Sequence, residues 1–78
     1  FNSKKSELAK TIIQSKQAFT SNQIAQIVAQ FSFDSYKLDV AKFAYQFTVD
    51  KDNYYLVANQ LTFSSNKSNL LSFIRNNP

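Results

Sequence analysis

Five carboxylates, nine basic side chains and no histidine or cysteine set the chemistry open to this chain. Acid, base or nucleophilic catalysis needs matched groups held within reach of a substrate. The commonest general base and the thiol nucleophile are both missing. The acids are Glu7, Asp34, Asp39, Asp50 and Asp52. Asp50 and Asp52 could act as an acid–base pair, but residues two apart at a helix start point in different directions. Asp34 and Asp50 stand where helices are expected to begin, and capping explains them better. Asp50-Lys51-Asp52-Asn53 opens like a calcium loop. The glycine such a loop needs at its sixth position is missing, and Leu61 stands where its twelfth-position glutamate belongs. The usual zinc ligands are also lacking. We therefore expect no catalytic residue, no metal site and no cofactor.

The basic residues pose a different question. The net charge of +4 invites an anionic partner. It is unevenly spread: Lys4, Lys5, Lys10 and Lys16 face only Glu7 in the first segment, and the rest of the chain is nearly balanced. These four lysines are candidate contacts to an anionic polymer or membrane surface, and the balanced remainder argues against nucleic acid. Lys37 and Lys67 fall one turn into expected helices, an odd place for a cation beside a helix N-terminus.

A second candidate surface carries no charge at all. Nothing between Gln17 and Phe33 is ionisable, and Gln23, Gln26 and Gln30 share the outward side of an expected helix. Amides hydrogen-bond at low desolvation cost, which suits contact with a protein or a glycan. Tyr55 lies off the apolar stripe of its own helix and could anchor such a contact. The expected partner is a protein. No apolar run approaches the length of a membrane span, and no signal peptide is visible. The chain begins at Phe1, which reads as a processed product or a piece of something longer.

The elements that must position these residues are helical. Apolar spacing and polar punctuation predict an all-α domain of five short helices spanning 1–78, with eight Phe and four Tyr to fill its core. The first helix starts near Ser3 with Leu8, Ile12 and Ile13 inward. Thr20 and Gln23 form a capping box for the second, with Phe19 and Ile24 as a hydrophobic staple. Asp34 should cap the third helix, which is apolar on two sides and so central. Asp50 should cap the fourth, with Val49 and Tyr54 as its staple. Ser64 starts the fifth, which should fray beyond Arg75. Glycine is absent. Asn, Lys or Ser must then take any left-handed position, unless the joints are extended.

The chain also aligns with itself at an offset of 30. Residues 20–48 and 50–78 share Gln30 and Gln60, Phe33 and Phe63, Ser35 and Ser65, Lys37 and Lys67, and Phe43 and Phe73. This predicts two helical hairpins behind a leading half unit, with Phe33 and Phe63 anchoring the joints.

The joint and its flanks carry a family resemblance. The residues are Phe31, Phe33, Asp34, Lys37, Leu38, Ala41, Lys42, Ala44 and Tyr45, then Val49, Asp50, Asn53, Tyr54, Val57, Phe63, Ser64 and Ser65. Over most of Thr20 to Ile74 the chain resembles a bacterial family catalogued only as a domain of unknown function (number 4476). It departs from the pattern at Gln46, where the family often has proline, and at Leu61, where it often has an aromatic. The resemblance implies a small helical domain, often at the end of exported proteins, with no assigned activity and no functional residues to carry over. Export is expected on that basis alone.

Overall fold

A computed structural model describes residues 2–78 of the chain. It holds five α-helices: α1 (Asn2–Lys16), α2 (Ser21–Ala29), α3 (Asp34–Tyr45), α4 (Tyr55–Ala58) and α5 (Ser64–Asn76). A 3-10 turn over Lys51–Asn53 leads into α4. No strand occurs among the described residues. One isolated parallel bridge joins Phe19 to Thr48, where Phe19 N–H donates to the Phe47 carbonyl (3.0 Å) and Val49 N–H to that of Phe19 (2.9 Å).

The helices form two layers. In one, α3 packs between α1 and α5; in the other, α2 packs on α4. Further contacts of α2 with α3 and of α4 with α5 join the layers. The apolar periodicity of α3 accounts for its central place. Its Val40, Ala41, Ala44 and Tyr45 are all buried. They meet Ile13, Phe19, Ile24, Val28, Phe31, Tyr54, Val57, Leu61 and Leu70 in a single core.

The capping box at α2 is complete. Gln23 N–H donates to the Thr20 hydroxyl (3.2 Å), and Thr20 N–H to the Gln23 amide oxygen (3.0 Å). Phe19 and Ile24 are both buried, as a staple requires. Other joints differ from expectation. Asp34 is the first residue of α3 and does not cap it; Phe33 is the N-cap, and no side chain bonds the α3 N-terminus there. The joints before α3 and α5 are extended, with Phe33 at φ −99°, ψ 131° and Phe63 at φ −90°, ψ 134°. Among the described residues, the one left-handed position is Gln17 (φ 61°), not Asn, Lys or Ser. Its N–H reaches the Ile13 carbonyl (2.9 Å) and closes α1. Val49 is exposed and cannot staple to Tyr54. α5 runs one residue past Arg75, and Asn77 holds its end through the Phe73 and Ile74 carbonyls.

Phe33 and Phe63 are the main correction. They are 55% and 62% exposed, so neither anchors its joint. Phe31 and Leu61, two residues earlier, are 4% and 2% exposed and take that role. The reason is helical spacing. Phe31 and Leu61 continue the buried stripes of α2 and α4, their N–H groups still reaching the Val28 and Ala58 carbonyls (3.1 Å each). Phe33 and Phe63 lie past the extended joint as N-caps of the next helix. Phe33→Ala should therefore cost under about 1 kcal/mol, as surface substitutions do. Chemical denaturation would show it, and a loss of several kcal/mol would restore the anchoring role.

Candidate functional site

Most of the charged and polar candidates are drawn into structural contacts, and what those contacts leave open is a groove. Asp34 is buried, and its carboxylate accepts from Thr62 N–H (2.7 Å), Phe63 N–H (3.1 Å) and the Asn66 amide (2.8 Å). It thus ties down the start of α5, a different helix from its own. Burial pushes its carboxyl up, but Asn66, the two N–H groups and the Lys37 charge outweigh that and hold it below the ordinary 3.8. Asp50 accepts from Asn53 within its own turn (3.0 Å) and from Ser21 N–H at the start of α2 (2.6 Å). Those bonds hold its carboxyl below 3.8 as well. Asp50 therefore supports α2 as well as the turn that leads into α4.

The lysines do the converse at helix C-termini. Lys5 donates to the carbonyl of Gln30, the C-cap of α2. Lys37 donates to the carbonyl of Gln60, just past α4 (3.0 Å). Each ammonium meets the negative end of a neighbouring helix dipole. This explains the placement of Lys37, which looked unfavourable within its own helix. Lys10 pairs with Asp39 (2.6 Å), and Lys16 lies over the Phe19 ring (5.0 Å). Lys4 is exposed. Asp39 and Asp52 are exposed, and no group of three or more metal-ligating acids occurs among the described residues.

The uncharged side of α2 is exposed at Gln23, Gln26 and Gln30. The Gln23 amide oxygen is committed to the capping box, whereas Gln30 borders the groove between α1 and α2. Tyr55 is exposed on α4. Of the eight candidates, Lys5 and Gln30 alone hydrogen-bond to each other among the described residues.

The groove itself measures about 250 Å3 and is almost wholly apolar. Leu8, Ala9 and Ile12 of α1 form one wall; Ile27, Gln30 and Phe31 form the other. Leu8 is 61% and Ile12 51% exposed, so the expectation that both face the core is wrong; only Ile13 does. α1 packs on α3 and leans away from α2, which leaves the Leu8 side without a neighbour. The sequence signal was present in the breadth of the α1 apolar arc. A wide arc can be covered on one side only.

A second cleft, near the chain's C-terminal end, is mixed polar and apolar. Its lysines lie over aromatic rings, Lys42 over Phe73 and Lys51 over Tyr45.

With this geometry in view, comparison with known proteins decides the family. The family model described as "Domain of unknown function (DUF4476)" matches residues 1–74. The chain belongs to the DUF4476 family. The match reaches back through α1, beyond the Thr20–Ile74 stretch that carried the resemblance. The family's description names no activity, so membership brings none to this chain. No curated protein and no solved structure matches it.

Proposed function

We propose that this DUF4476 domain is a non-enzymatic interaction module of a larger exported bacterial protein. It contacts another protein through the α1–α2 groove and the adjoining uncharged side of α2. The supporting observation is the groove, where Leu8 and Ile12 stand more than half exposed over an apolar floor. Large apolar side chains left open in a concave patch mark contact sites more often than chance exposure does. The alternative, an anionic polymer held by Lys4, Lys5, Lys10 and Lys16, is less well supported. Lys10 is already paired with the Asp39 carboxylate, and Lys5 flanks an apolar groove rather than a continuous basic face.

The repeat fits the same reading as a folding device. At the 30-residue offset, Phe31 and Leu61 are both buried, and Phe33 and Phe63 are both exposed N-caps. The Gln30 and Gln60 carbonyls, equivalent at that offset, each accept from a lysine, Lys5 and Lys37, although the two lysines are 32 positions apart. On this view the groove is the open end of a two-layer stack of helical hairpins.

The test is amide-shift mapping of the 78-residue chain with a neutral amphipathic peptide of leucine and glutamine, and separately with heparin. The peptide should shift Leu8, Ile12, Ile27 and Phe31, and Ile12→Glu should weaken it by about tenfold or more. Saturable heparin binding through the α1 lysines, falling steeply with salt, would replace this reading with the polyanion one.

A further inference from the structure

We infer that the groove between α1 and α2 receives an amphipathic helix whose apolar anchors are flanked by carboxylates. This rests on the groove being the contact site and identifies its occupant by charge. At about 250 Å3, the groove lies below the roughly 300–1,000 Å3 of small-molecule pockets but admits a short row of side chains. It is open and lined from Lys5 to Ile12 along two turns of α1, which suits a ridge of residues spaced three and four apart.

The charge around it has one sign. Lys5 lines the α1 wall, and Lys16 follows Ile12 by one turn on the same side. Lys4 precedes Leu8 by one turn. Glu7, the single acid of α1, lies about 150° around the helix from the groove's centre line at 3.6 residues per turn. The α2 wall has no ionisable group. A carbonyl and an aromatic face hold Lys5 and Lys16 without neutralising them. The only salt bridge among the described residues, Lys10–Asp39, lies on the far side of α1 toward α3. A partner with carboxylates beside its anchors therefore gains attraction on both flanks, and a cationic one is repelled.

Other occupants fit less well. The exposed apolar residue of α5, Leu71, has Lys67 one turn before it and Arg75 one turn after. A second copy docking by that face would bring like charges together. A bilayer is flat, and the apolar floor at Ile27 and Phe31 is recessed and cannot reach it.

The test uses three peptides of roughly 18 residues, long enough to populate a helix. They share one leucine stripe and carry glutamate, glutamine or lysine beside it. Binding is followed by amide shifts of the 78-residue chain at about 50 mM and 200 mM NaCl. The glutamate peptide should shift Leu8, Ile12, Ile27 and Phe31 and bind at least about tenfold more tightly than the lysine peptide at low salt. The double substitution Lys5→Gln and Lys16→Gln should shrink that gap, with the amide spectrum checking its fold. Equal binding of the glutamate and lysine peptides overturns the acidic occupant and leaves the groove reading intact. Failure of all three peptides overturns both. Phosphatidylglycerol vesicles shifting the groove residues where the peptides do not would assign a membrane instead. Sedimentation showing self-association that Ile12→Glu abolishes would assign a second copy.

Discussion

Tyr54→Ala is expected to cost about 3–5 kcal/mol of folding stability, the range for a buried aromatic truncated to alanine. Tyr54 is 1% exposed and is the largest fully buried side chain. Its ring meets Tyr45 edge-on with centroids 5.0 Å apart. Its hydroxyl donates to the Ala41 carbonyl in the middle of α3 (2.6 Å). It therefore ties the short, one-turn α4 to the central helix. A domain of this size is stable by about 0.05–0.15 kcal/mol per residue, so the loss would consume much of the total. Tyr54→Phe keeps the ring and should cost only about 1 kcal/mol, the worth of one hydrogen bond. Burial also pushes the Tyr54 phenol up from 10.0. Ionisation then favours the unfolded chain, and stability should fall as pH rises above about 10. Urea unfolding followed by far-UV circular dichroism would check all three. A Tyr54→Ala loss under about 1 kcal/mol would show that α4 is held by other contacts.

Asp34→Ala is expected to cost about 2 kcal/mol, as loss of a charged acceptor with several donors does. The substitution strips Thr62 N–H, Phe63 N–H and Asn66 of their common acceptor and frees the start of α5. The same carboxylate gives the fold an acid limit. The pKa values of Asp34 and Asp50 are lowered in the folded chain relative to 3.8. The unfolded chain therefore binds protons first as pH falls. The stability these groups contribute is present above about pH 5 and is lost through pH 4 and below. Asp34→Asn retains an acceptor but cannot titrate, so its stability should fall less between pH 5 and 3 than that of the unaltered chain. Urea midpoints across that range would measure it. An unchanged acid slope would remove Asp34 from the account.

The roles of Asp34 and Asp50 were not visible along the chain. Asp34 and Asp50 read as caps for the helices that follow them, because local spacing is all that a sequence displays. The folded domain uses them between elements, each meeting a helix terminus about 30 positions away. The lysines show the same displacement, since Lys5 and Lys37 close helices they do not belong to. Phe33 shows the limit most plainly. Matched by Phe63 in the 30-residue alignment and placed before a helix, it looked like an anchor, yet it is an exposed N-cap, and the core takes Phe31, which continues the buried stripe of α2.

What the sequence determined by itself was local. The five helices, the capping box at Thr20 and Gln23, and the central place of α3 all follow from spacing within one helix or one turn. Hydrophobic periodicity and backbone capping act over a few residues, so they can be read from one stretch. Tertiary structure alone decided which apolar side of α1 is covered, and so where the groove opens. Leu8, Ile12 and Ile13 are comparable on any hydrophobic scale. Their fates diverge because α3 is close enough to cover Ile13, while α2 stands off from Leu8 and Ile12.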